Sequence, residues 1–239
     1  MGYLWDQLRT AVPMIWASGS GVPEIVWVTV KVALVATCCA FLVGLPAAMA
    51  LALGSFRGRR TLQILANASM ALPPVLVGVG LLIFILPQSA LGGLRIEFTL
   101  TAVYVAQTIL ALPYVLALVP AAVRGLPPGL LDQARRFGAG RVQLSLLALR
   151  EARIGVLAAV IAAFASSVSE VAAVIIVGGN IGGRDQTLAS AIVSEIDYVN
   201  SIPGALSLGI VLLALILVLI GVLTVLQQRS GARLRWRGA

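Results

Sequence analysis

The sequence predicts an all-α polytopic membrane protein of about five transmembrane helices, and three observations carry that prediction. The 239-residue chain is 60% hydrophobic and 11% charged, with a mean hydropathy of +1.03, whereas soluble domains run near half apolar and a quarter charged. Its apolar residues fall in runs of about 20, the length of a bilayer-crossing helix, and not in the roughly 10-residue alternation of barrel strands. Its basic residues sit in the short connections between those runs. No stretch is left for a sizeable soluble domain.

Residues 1–20 carry Tyr3, Trp5, Ile15 and Trp16 among a few charges, without the basic start, apolar core and cleavage site of a signal peptide. An amphipathic helix lying in the membrane interface is expected there. The transmembrane domain is expected over 21–228, with spans at about 24–54, 62–86, 99–123, 154–177 and 203–226, and a basic tail at 229–239. The first span contains Gly44 and Pro46 and stops at Arg57, Arg59 and Arg60. The second holds Pro73 and Pro74, tolerated inside a span where neighbouring helices or water satisfy the freed carbonyls. A short polar link, Gln88 to Phe98, leads to the third span with Gln107, Pro113 and Pro120. After the fourth comes a longer link from Gly178 to Ile202, and the last span is the most uniformly apolar.

The formal net charge of +8 would suit nucleic acid, but its placement excludes that partner and points to loops held on one side of a membrane. Thirteen of the seventeen Lys and Arg residues lie in the connections 57–61, 124–153 and 227–239. Short basic loops stay in the cytoplasm, so five spans with the amino terminus outside and the carboxyl terminus inside are expected. Cys38 and Cys39 lie adjacent in an apolar run and offer no metal-ligand spacing. With no histidine in the chain, His-based catalysis and His metal sites are excluded.

The basic connection from Gly129 to Arg153 is the largest polar interruption. Leu130, Ala134 and Phe137 recur at i, i+4 and i+7, an apolar face on an otherwise charged helix. Pro127 and Pro128 precede it, where proline can start a helix, and Gly138-Ala139-Gly140 breaks it before a second helical run from Val142 to Leu149. On periodicity alone, a hairpin resting on lipid headgroups and a docking element are equally good readings.

The segment Asp132-Gln133-Ala134-Arg135-Arg136-Phe137-Gly138 resembles the Glu-Ala-Ala…Gly loop of ABC importer permeases. The run from Leu149 to Asn180, and Ala-Leu-Pro-Pro at 71–74 followed by Val77-Gly78, resemble the tungstate and molybdate branch of that family. Asp132 and Gln133 replace the usual Glu and first Ala; an acidic group at a helix start is still favoured by the dipole, and Gly138 still permits a positive φ. The resemblance implies a type I importer fold in a bacterial inner membrane, with a cytoplasmic coupling helix carried by Asp132, Gln133, Ala134, Phe137, Gly138 and Arg141. It implies an ABC ATPase dimer, an extracytoplasmic substrate-binding protein and a second copy of this chain as partners, besides lipid. The chain has no G-x-x-x-x-G-K-[ST] phosphate loop: Gly-Gly-Asn-Ile-Gly-Gly runs into Arg184-Asp185, without the lysine and hydroxyl. ATP and magnesium would therefore be held by the partner, with no cofactor bound directly.

Ser166, Ser167, Ser169 and Glu170 form the most polar patch in any span. Counted along a continuous helix, Glu170 lies roughly 24 Å from the basic end, a depth at which an ionisable group is costly unless paired or wet. A helix-packing patch and a translocation path or gate are both consistent with it. Lys31, about 9 Å further out on the same count, is expected to snorkel to the interface rather than pair with it. In the outward link, Asp185, Glu195 and Asp197 would offer an acidic rim to the binding protein, with Asn180 as a further contact; a merely solvated loop is the other reading. The resemblance implies import of an oxyanion, tungstate or molybdate, with an importer permease for another anion such as sulfate or vanadate as an alternative. The competing classes are a self-contained secondary transporter or channel, which calls for inverted repeats that the sequence does not display, and a non-transporting membrane scaffold.

Overall fold

The computed structural model describes residues 2–16 and 21–235, with side chains over 5–16 and 21–228. The tail residue Arg237 and the side chains of Arg229, Arg233 and Arg235 lie outside it. The described residues are helical, without strands: α1 (Gly2–Ile15), α2 (Val22–Leu53), α3 (Arg59–Ser69), α4 (Pro74–Ile85), a single 3-10 turn at Gly92–Leu94, α5 (Leu100–Arg124), α6 (Leu130–Arg136), α7 (Arg141–Glu151), α8 (Arg153–Ser169), α9 (Ala172–Gly178), α10 (Leu188–Asp197) and α11 (Ile202–Arg235). Among them α2, α5 and the Ile202–Gln228 part of α11 are long and apolar enough to cross a membrane. Counting two bent pairs, α3 with α4 and α7 with α8, brings the number to five.

α2 and α5 form the axis of the fold. Proline in the first turn of α2 and Glu24 beside it suit the positive end of the helix dipole. At the other end Arg59 donates to the carbonyls of Leu51 (2.7 Å) and Ala52 (2.9 Å), which have no partner within the helix. α5 starts on Thr99, whose hydroxyl accepts from the Ala102 N–H. Pro113 and Pro120 sit inside it without breaking it. Pro120 has no N–H, so the Leu116 carbonyl is freed, and Gln63 of α3 donates to it at 3.5 Å while accepting from Arg124 at 3.1 Å. The core is closed by alanines: Ala33, Ala36, Ala40, Ala106, Ala111 and Ala163 are fully buried, which lets helix backbones approach closely.

Two spans expected as continuous are broken. At Pro73-Pro74 the chain turns by 103° between α3 and α4; two consecutive imides remove two helix donors, and the residue before a proline is pushed out of the helical region. The fourth span stops at Ser169 and resumes at Ala172, with Glu170 extended (φ −75°, ψ 135°) between α8 and α9. The Ser169 hydroxyl donates to the carbonyls of Ala165 (3.1 Å) and Ser166 (3.3 Å), competing with the helix for the acceptors its next turn needs. The link from Gly178 to Ile202 contains α10, capped by the Thr187 hydroxyl. α1 packs along α11, with Ala11 fully buried.

Candidate functional site: the α6–α7 loop and the α9–α10 corner

α6 begins after Gly129 and ends in a left-handed cap. Gly138 has φ +86°, its N–H donates to the Arg135 carbonyl (2.9 Å), and the Ala139 N–H donates to the Ala134 carbonyl (3.0 Å). That is the paired 5→2 and 6→1 pattern of a Schellman motif, and it needs a residue that can adopt positive φ. The next helix starts on Gly140, whose N–H donates to Gln143 Oε1 at 2.8 Å. Asp132 in the first turn of α6 pairs with Arg135 at 2.8 Å, both exposed, a pair worth about 0–1 kcal/mol.

This cap changes the expected apolar face. Leu130 and Ala134 are half-buried, but α6 ends at Arg136, so Phe137 belongs to the cap and not to a third position of one stripe. Its ring is 91% exposed, the most exposed large apolar side chain among the described residues. Gln133 and Arg141 are exposed as well. A cleft of about 630 Å³ lies between the end of α2 and α6, lined by Gly54, Arg59, Arg124, Asp132 and Arg135 among others.

The four polar residues of the fourth span do not form one surface. Ser167 is buried, Ser166 and Glu170 are half-buried and Ser169 is exposed. Glu170 Oε1 accepts from the Ala173 N–H at 3.1 Å, satisfying one of the free donors at the start of α9. No ion pair joins it to Lys31, which is exposed.

At the α9–α10 corner the expectation of an acidic rim fails for Asp185, whose residue is fully buried. Its Oδ1 accepts from the Ile181 N–H at 2.5 Å and its Oδ2 pairs with Arg184 at 3.2 Å. Arg184 also donates to the Phe98 carbonyl, tying this corner to the entry of α5. A buried carboxylate persists only where donors surround it, and the tight loop supplies them. Asn180 (φ 56°) is half-buried and donates to Ser194 Oγ at 2.6 Å and the Ser190 carbonyl at 3.4 Å. Thr29 of α2, which sequence reasoning passed over, accepts from the buried Leu188 N–H at 2.8 Å. The loop at 181–184 and the end of α10 meet solvent: Arg184 is exposed, Glu195 is half-buried over Gly204, and Asp197 and Tyr198 are exposed. Ile181 and Arg184 stand within four residues of Asp185, but the contacts that fix the corner to α5 and α2 lie 86 and 159 residues apart.

The model of the family described as binding-protein-dependent transport system inner membrane component matches residues 40–232, a stretch that holds α5 to α10 whole. The chain belongs to this family. It is 37% identical over 179 residues to a "Probable anion ABC transporter permease protein" of Haloferax volcanii, covering 73% of this chain and 77% of that one. It is 28% identical over 228 residues to the tungstate uptake system permease protein TupB of Peptoclostridium acidaminophilum, covering 95% of this chain and all of the relative. Among solved structures, an inward-facing MetNI methionine ABC transporter chain superposes with TM-score 0.65 at 22% identity, over 92% of this chain and 97% of that chain, a likeness of fold. As a binding-protein-dependent permease, the chain is a multi-pass membrane component that is not itself a catalyst, and its family implies a substrate-binding protein and an ATPase as partners.

Proposed function

We propose that this permease is the membrane subunit of an ATP-driven importer for an oxyanion of the tungstate or molybdate kind. It works as a homodimer in a bacterial inner membrane, with its amino terminus outside, beside two ATPase subunits and one external binding protein. The observation that carries the substrate class is the similarity to a tungstate permease along that relative's whole length. The α6–α7 loop supports the coupling role: the cap of α6 presents Phe137 almost bare, with Asp132, Gln133, Gly138 and Arg141 exposed around it. In this reading ATP and Mg²⁺ are bound by the ATPase, and the permease receives its motion through α6. Glu170 stays in the reading as a hinge group, since it caps α9 where the span is interrupted.

Proteoliposomes holding the permease, its ATPase and its binding protein are expected to take up labelled tungstate only with ATP on the ATPase side. Excess unlabelled tungstate or molybdate should compete more strongly than sulfate. Uptake that persists without the ATPase would return the protein to the class of self-contained transporters. Of the expected contacts with the binding protein, Glu195 keeps access to solvent, while Asp185 does not. A Glu195→Lys variant should lower binding-protein stimulation of ATP hydrolysis several-fold at low salt, with the difference shrinking as salt screens the contact; equal stimulation in both proteins would remove Glu195 from that surface.

A further inference from the structure

Three buried polar side chains, one on each helix at the centre of the packing, have no hydrogen-bond partner: Thr37 on α2, Gln107 on α5 and Ser167 on α8. They are 5%, 0% and 6% exposed. Side-chain contacts fix their levels. α2 and α5 run parallel, Val32 clustering with Val103 at one end and Met49 with Val123 at the other. Gly44 lies against Leu112 and Val115, so Thr37 and Gln107, each two turns earlier on its helix, share a level. α8 runs the opposite way, with Gly155 against Ala122. Following α8 forward and α5 back by equal lengths brings Ser167 to within one turn of Gln107.

A hydroxyl on a helix can turn to the carbonyl four residues back, as Thr29 and Thr108 do. Gln107 has no such escape, because its amide carries two donors and an acceptor that no local backbone group can meet. An unpaired amide in an apolar interior is strongly disfavoured. The buried residues flanking these positions are alanines (Ala36, Ala40, Ala106, Ala111 and Ala163) together with Val103, Phe164 and Val168, none of which offers a polar side chain. The nearest charged residues along these helices, Lys31 and Glu170, are exposed and engaged with α9 respectively. Whatever meets the three groups is small and neutral, and it both donates and accepts.

We propose that Thr37, Gln107 and Ser167 form a site for internal water where α2, α5 and α8 meet. Water there makes two to four hydrogen bonds to otherwise unsatisfied groups and holds three helices together without fixing their distances. The site stands on the packing alone and does not depend on what the permease carries.

The test is thermal unfolding of the purified full chain in one detergent. Gln107→Leu should lower the midpoint by about 4 °C, and its pairings with Thr37→Val and Ser167→Ala should be clearly non-additive. Gln107→Asn, one methylene shorter, should keep most of the wild-type midpoint, since water spans a longer gap that a direct bond cannot. The midpoint should be the same in sodium and in N-methylglucamine chloride. A raised midpoint in Gln107→Leu with additive pairs would mean an unhydrated amide. An Asn variant as poor as the Leu variant would mean direct bonds among the three, and a sodium requirement would mean a cation. Each of those outcomes overturns the proposal.

Discussion

Replacing Gly138 by arginine is expected to abolish co-purification of the ATPase subunit while leaving the permease folded. The residue is held at φ +86° by two cap hydrogen bonds, and an L-residue in the left-handed region costs about 1–2 kcal/mol. Nothing lies within 4 Å of the position a Cβ would take, and Gly138 is exposed, so the side chain can leave towards solvent and the cost stays local. The consequence falls on the surface: opening the cap moves Phe137, and arginine adds bulk and charge beside it. Gly138→Asn, which tolerates positive φ, should retain most of the ATPase. The measurement is subunit yield after affinity purification, with the permease's own unfolding midpoint as the control. Full ATPase recovery with Gly138→Arg would take the α6–α7 loop out of the coupling interface and leave it a lipid contact.

Asp185→Ala is expected to be among the most destabilising single substitutions outside the helix packing. It strips the Ile181 N–H of its acceptor and Arg184 of its carboxylate in a fully buried position. The unmade buried hydrogen bond dominates, because Arg184 is half exposed and its ion pair is screened. A loss of about 2–3 kcal/mol is expected, read as an unfolding midpoint lower by roughly 4–10 °C. Asp185→Asn keeps an acceptor of the same shape and should lose less than half as much. A rim contact would behave in the opposite way, with an unchanged midpoint and a loss confined to binding-protein stimulation.

The helical membrane fold was legible because hydropathy and loop charge are local sums that no tertiary contact can reverse. The α6–α7 loop was legible for a related reason: Asp132 and Gly138 act within their own turn, as dipole partner and cap. Phe137 was misplaced by one step, since periodicity continues a helix that a glycine has already ended. Pro73-Pro74 and Ser169-Glu170 were visible as residues but not as breaks; whether a span survives them depends on what neighbours offer the freed groups. Gln63 offers Leu116 a donor and α5 continues past Pro120, while the bonds of Ser169 stay within α8 and the helix stops. Asp185 was placed on the surface because a charge in a glycine-rich link usually is. Its partners Ile181 and Arg184 stand beside it in the sequence, but the burial of the corner and the anchoring of Arg184 on the Phe98 carbonyl exist only after folding.

The junction of α4 with α9 bears on how the protein is made. α4 is a 12-residue helix and α9 a 7-residue one, about 18 and 10 Å long, so neither crosses a hydrocarbon core of roughly 30 Å. They lean on each other through Gly78, where an added Cβ would sit 3.0 Å from the Ala173 Cα. The ribosome completes α4 first and then builds α5, α6, α7 and α8 before α9 emerges. During that interval the membrane holds a half-length helix without its principal neighbour. This part of the domain is therefore finished late in translation, and nascent chains halted before α9 is made carry α4 without the helix that packs on its Gly78 face.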